Sequence, residues 1–178
     1  MKFIANMIDA LNERVGRAAI WLVLLSALVS AGNASVRYLF GMSSNGMLEI
    51  QWYMFSLIFL LCAGYTLKHD GHVRIDVIYG RLSRRAQAVI DIFGALLFLL
   101  PVSLFITKMS WDMALISFQI NEGSPDPGGL LRWPIKMAIP LGFALLSLQG
   151  VSEIIKKILF LLDRQPPAPV EQHQERIA

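Results

Sequence analysis

Apolar positions in this chain gather into four long runs, and charged positions gather in the short stretches between them. The first run covers residues 18–40 and carries no charge before Arg37. A helix rises 1.5 Å per residue, so about 20 apolar residues cross the roughly 30 Å hydrocarbon core of a bilayer. The second run covers residues 48–67 and follows Gly41-Met-Ser-Ser-Asn-Gly46, a turn composition suited to joining antiparallel helices. The third begins at 84, after Ser83 as an N-cap, and keeps helical character to 118. Such a helix is about 50 Å long, so it must tilt strongly or project from the membrane, and Pro101 is the expected place for a kink. Residues 121–129 contain two prolines and three glycines and read as a loop. The fourth run covers 134–162.

Ahead of the first run, Phe3, Ile4, Met7, Ile8, Leu11 and Val15 fall on one side of a helix, with Lys2, Asn6, Asp9, Asn12, Glu13 and Arg17 mostly on the other. Residues 1–17 are therefore expected to form an amphipathic helix lying in the membrane interface. Lys2 and Arg14 before an apolar run ending in Ser30, Ala31, Gly32 and Ala34 also fit a cleaved signal peptide, but so long a leading segment favours a retained span. Residues 163–178, rich in proline and mixed charge, read as a disordered tail.

Composition sharpens this into an all-α integral membrane protein. The 178 residues are 55% hydrophobic and 16% charged, with a mean hydropathy of +0.54, too little polar surface to cover a soluble domain. A single cysteine, Cys62, excludes an internal disulfide framework. The net charge of +3 is too small to indicate nucleic acid. Its distribution is a topology signal: twelve of the 16 Lys and Arg residues lie in the N-terminal segment, the central hairpin and the C-terminal end, against Arg37, Lys108, Arg132 and Lys136 elsewhere. The positive-inside rule then places both termini and the hairpin in the cytoplasm. Trp21, Trp52, Trp111 and Trp133 lie near span ends, where indoles prefer the headgroup region.

Candidate chemistry is sparse. Arg37 and Glu49 flank the first outer turn and are expected to pair; Asp91 is expected to meet Arg84 or Arg85, and Glu153 to meet Lys157 one turn on. Asn33, Gln51, Ser56, Thr66, Ser103 and Gln149 are expected to bond neighbouring helices. The hairpin over 65–85 holds His69, Asp70, His72, Arg74 and Asp76, two imidazoles and two carboxylates within eight residues. Spacing fixes no third strong ligand, so no metal and no cofactor are expected. No nucleophile with its base, phosphate loop, arginine ladder or pair of broken helices is recognisable.

Three segments carry a family resemblance: Asn33-Ala-Ser-Val-Arg37-Tyr38-Leu-Phe40-Gly41, Glu49-Ile-Gln-Trp52 and Gly71-His72-Val73-Arg74-Ile75-Asp76-Val77. Together, over residues 15–160, the chain resembles the small, DctQ-type membrane subunit of tripartite ATP-independent periplasmic (TRAP) transporters. Its tryptophan follows Glu49 where the family has one preceding a pair of acids, so this position departs from the pattern. The resemblance implies a non-catalytic scaffold in the bacterial inner membrane, bound to a large multi-span subunit and serving a periplasmic substrate-binding protein. It implies import of organic acids on a cation gradient. Arg37, Glu49, Trp52, His72, Arg74, Asp76 and Asp91 would serve structure and assembly, while Asp112, Glu122, Asp126 and Arg132 would help dock the binding protein. Two other readings stand beside it: a stand-alone membrane enzyme or sensor using His69, His72 and Asp76, and a small transporter working as a dimer.

Overall fold

The computed structural model describes residues 1–42, 44–71 and 79–162. Four helices long and apolar enough to cross a membrane account for nearly all of them. Helix α1 is Lys2–Phe40; α2 (Asn45–Leu61) and α3 (Ala63–Lys68) form the second span with a break at Cys62. The third span is α4 (Arg84–Gly94), a π-helical turn (Ala95–Leu99) and α5 (Leu100–Gln119), and the fourth is α6 (Trp133–Leu162). All four expected spans are present as helices, the first of them beginning at Lys2, well ahead of the expected residue 18. His72, Arg74 and Asp76 lie outside the described residues, as does the expected tail.

The expected boundary at residue 17 is not a helix end. Helix α1 runs unbroken for 39 residues and stops at Gly41, whose left-handed backbone (φ 64°) caps it through an N–H to the Arg37 carbonyl. Its polar stripe turns into the bundle, burying Asn12 completely, while Phe3, Met7 and Leu11 stay exposed.

Helix α6 is the hub, touching every other helix. Apart from Pro140, its buried positions are small or polar: Ala138, Gly142, Ser147, Gln149, Gly150 and Ser152. Lipid supplies no hydrophobic drive between helices, so close backbone approach and hydrogen bonds hold such a bundle together. Gly142 is the clearest case, since a Cβ there would stand 2.7 Å from the Leu60 carbonyl oxygen. Against the other side of α6, α5 presents Ser103, Ser110, Ala114 and Ser117, all buried. Ser147 Oγ donates to Ser103 Oγ at 2.8 Å across this seam, and Ser103 and Ser110 return their hydroxyls to carbonyls of their own helix at 2.6 Å.

Pro101 produces a change of helix type in the preceding turn. The proline nitrogen cannot donate, and its ring crowds the carbonyl four residues back. The chain answers by widening the turn before it, so that Leu100 N–H reaches Ala95 O, five residues back.

Candidate functional site

The described polar chemistry concentrates at the two ends of the bundle. At the end holding the loop between the third and fourth spans, Glu49 is 3% exposed and organises its surroundings. It sits on the first turns of α2 because Ser44 and Asn45 begin that helix directly beneath the loop. The Leu130 backbone N–H donates to Oε2 at 2.6 Å, the Ser124 hydroxyl donates to Oε1, and Arg132 Nη2 reaches Oε1 at 3.2 Å. The same guanidinium donates to Ser124 Oγ at 3.1 Å and stacks over the Trp52 ring, 4.9 Å from its centroid. Tyr53 OH donates to Leu131 O at 3.0 Å and Asn45 Nδ2 to Pro127 O at 3.0 Å.

The loop is also closed on itself. Ser124 N–H bonds Leu130 O at 3.0 Å and Arg132 N–H bonds Glu122 O at 2.8 Å, while Gly128 takes a left-handed φ of 74° at the tip. Glu122 pairs with Lys136, and that hydrogen bond, outweighing desolvation, holds its carboxyl below the usual glutamate range. A carboxylate buried under a loop and bonded to a backbone N–H, a hydroxyl and a guanidinium is a clamp. Its contacts with Leu130, Ser124 and Arg132 all run from α2 to the loop, so they fix the loop's shape.

At the opposite end, α1 and α6 are laced together. Asn12 Nδ2 donates to Gln149 Oε1 at 3.0 Å, and Gln149 Nε2 donates to Asp9 Oδ1 at 2.9 Å. Ser152 Oγ reaches the same Asp9 oxygen at 2.6 Å and Lys156 Nζ reaches Oδ2 at 3.0 Å. Glu13 joins α1 to α3, receiving Lys68 Nζ at 2.6 Å and lying 2.9 Å from His69 Nε2. Asp91 joins the third span to the fourth, binding Lys157 and accepting from Tyr79 OH at 2.6 Å. Each acid here bridges two segments distant in sequence.

Residues 26–160 match the model of the DctQ component family of tripartite ATP-independent periplasmic transporters. The chain belongs to that family. Among curated proteins, the C4-dicarboxylate TRAP transporter small permease protein DctQ of Pseudomonas aeruginosa is 28% identical over 107 residues, 60% of this chain. The match spans half (50%) of that relative's own length.

For this DctQ-family chain, three expected pairings are corrected. Arg37 does not hold Glu49: it is exposed in the last turn of α1, and the loop's Arg132 takes the carboxylate because the loop folds down onto α2. Asp91 is held by Lys157 and Tyr79 instead of Arg84 or Arg85, which stay exposed at the start of α4, because α6 packs alongside Asp91. Glu153 binds Lys156, three residues on, leaving Lys157 for Asp91. Trp52 is placed against Arg132, Asp112 is exposed, and Asp126 is exposed in the loop.

Sequence reasoning assigned no partner to Asp9, Asn12, Ser152 or Lys156. The available signal was the spacing of Gln149, Ser152, Glu153 and Lys156, a polar face on one side of an apolar helix. It demanded a polar partner, and the stripe of α1 was the matching one.

Proposed function

We propose that this chain is the non-catalytic scaffold and docking subunit of a cation-gradient-driven secondary transporter. It stands in the bacterial inner membrane, with both termini cytoplasmic, beside a large multi-span subunit that carries the ion and substrate path. A periplasmic binding protein delivers organic acids to the pair. Family membership supports the assembly, the relative's printed name supports an organic-acid substrate class, and the charge distribution supports the orientation.

The observation that carries the reading is the Glu49 clamp. A stationary docking partner needs a surface whose shape does not change, and the clamp ties loop 121–132 to α2 through a buried ion pair and several backbone bonds. The docking roles then divide: Asp112 and Asp126 are exposed and face the binding protein, while Glu122 and Arg132, committed to Lys136 and Glu49, shape the platform. Arg37, Trp52, Asp91 and the hairpin residues His72, Arg74 and Asp76 serve assembly.

The test is photo-crosslinking in native membranes from Phe118 and Gly128. Capture of a periplasmic binding protein at these positions, and of a large membrane subunit elsewhere on the chain, is the expected result. Recovery of the chain alone from both positions, or substrate uptake by this chain reconstituted alone in vesicles under a sodium gradient, would sink the scaffold reading.

A further inference from the structure

Charged residues bound each span at both ends. No Asp, Glu, Lys or Arg lies between Arg17 and Arg37 on α1, between Glu49 and Lys68 on the second span, between Asp91 and Lys108 on the third, or between Lys136 and Glu153 on α6. These uncharged lengths are alike, 16 to 19 residues, and each makes one crossing of a hydrocarbon core once long basic stems reach outward. Their heights along the bundle are not alike. On α1, Asp9 meets Ser152 and Asn12 meets Gln149, which sets Arg17 level with Ala144. On α5, Phe118 meets Trp133 and Ser103 meets Ser147, which sets Lys108 level with Gly142. Two residues are about 3 Å of helix. Arg17 and Lys108, both exposed, therefore stand at nearly one height on opposite sides of α6. Yet Arg17 bounds its span at the end that holds the N-terminus, and Lys108 bounds its own at the end that holds loop 121–132.

A membrane lying square across the helices cannot serve both. Set by the charges of α1, its hydrocarbon would take in Lys108 and Asp112 and leave Phe93, Leu97 and Phe98 of the third span in water, although these are 57%, 59% and 71% exposed. Set by the charges of the third span, it would strand Leu25 and Leu28 of α1, 49% and 61% exposed. A slanted membrane covers all five and leaves the charges at its borders. The midpoints of the two uncharged lengths lie level with about residues 134 and 150 of α6, an offset of roughly 24 Å. Packed helix axes stand 8–10 Å apart, so the bundle is about 18 Å wide from α1 through α6 to α5. So large an offset across so narrow a bundle requires a steep inclination, and the stems of the border cations take up the remainder.

We propose that the lipid-covered surface of this bundle is an oblique band, with the helices inclined about 40° to the membrane normal, the upper end of the range for spanning helices. The inclination accounts for helices of 39 and 36 residues where about 20 would cross. It leaves an overhang on each face of the membrane. The first turns of α1 stand clear of the lipid on one face, and the last three turns of α5, with loop 121–132, stand clear on the other. The inclined seat requires four crossings and no partner, so it goes beyond the scaffold reading and stands or falls separately from it.

Exposed residues at matched heights give the test. Leu24 and Met113 are both level with residue 137 of α6, and Ala10 and Phe98 are level with residues 151 and 152. The full-length chain with Cys62→Ala receives one spin label at a time, through Leu24→Cys, Met113→Cys, Ala10→Cys or Phe98→Cys, in vesicles of phosphatidylethanolamine and phosphatidylglycerol. The ratio of collisions with oxygen to collisions with a water-soluble nickel chelate then reports depth. Leu24 and Phe98 are expected to lie about 10 Å deeper than Met113 and Ala10, a severalfold higher ratio in each pair. Equal ratios within both pairs, the result of an upright seat, would overturn the proposal, as would the reverse order. Should a labelled variant fail to fold, Leu28→Cys and Leu97→Cys replace the two deep positions. Polarised infrared spectroscopy of the unlabelled chain in oriented bilayers needs no variant: a mean helix inclination near 40° is expected, and one at the ordinary value of about 20° or below would overturn the oblique band.

Discussion

Glu49 shows how one side chain decides the form of a loop it does not belong to. Its oxygens receive a backbone N–H, a hydroxyl and a guanidinium from loop 121–132, and Arg132 in turn is pinned against Trp52. Glu49→Gln keeps an acceptor for Leu130 and is expected to leave the loop in place but weaker. Glu49→Ala strands the Leu130 N–H and Arg132, and limited proteolysis at the loop should become several times faster than in the glutamine variant. Equal protease resistance of the two would argue against the clamp. Glu122 adds a pH dependence with a defined sign. Its carboxyl is held below the ordinary glutamate value by Lys136, so its support for the loop is complete above the unfolded value of about 4.5 and is lost as pH falls through the lower folded value. Lys136→Met should remove that acid-dependent step from a loop-specific fluorescence or proteolysis titration while leaving the neutral-pH fold intact.

Among elements, the tightest constraint is the crossing of α6 over the second span. Gly142→Ala would drive a Cβ to 2.7 Å from the Leu60 carbonyl, a backbone atom with little room to yield. Overpacking of this kind costs about 1–3 kcal/mol, so thermal unfolding in detergent should move down by several degrees. A variant as stable as wild type would mean that the two spans are free to slide apart. The spans themselves were legible in the sequence because apolar length is a strong signal, and Ser83 is indeed the N-cap, accepting from Ala86 N–H. Pro101 was the expected place for a kink, and the irregularity there takes the form of a π-turn just before it. The inward face of α1 was misjudged for a physical reason. Asp9, Asn12 and Glu13 look like groups seeking water until Gln149, Ser152, Lys156 and Lys68 stand opposite them, and those partners lie 55 to 147 residues away. The site pairings failed likewise: Arg37 is the nearest cation to Glu49 along the chain, yet Arg132, 83 residues on, is the one in contact.

For the whole molecule, the orientation proposed from charge has a direct check. With Cys62 replaced by alanine, a membrane-impermeant thiol reagent added to spheroplasts should label Gly128→Cys and leave Ala10→Cys unlabelled; the reverse pattern would invert the protein. The molecule also divides its electrostatics in a consistent way. Acids inside the terminal end pair with lysines 68, 156 and 157, while Arg14, Arg84 and Arg85 remain on the outside. The inward-turned stripe of α1 carries a consequence for how the protein is made. Synthesis delivers α1 first and α6 last, so Asp9 and Asn12 are made more than a hundred residues before Gln149 and Ser152 exist to receive them. Until then the newborn first span carries exposed polar groups, and the last span closes the fold as a keystone closes an arch. A chain halted before Trp133 should insert yet be recognised as incomplete by membrane proteases, and pulse-chase of such a truncation should show rapid turnover that co-expression of the missing span, as a separate peptide, slows.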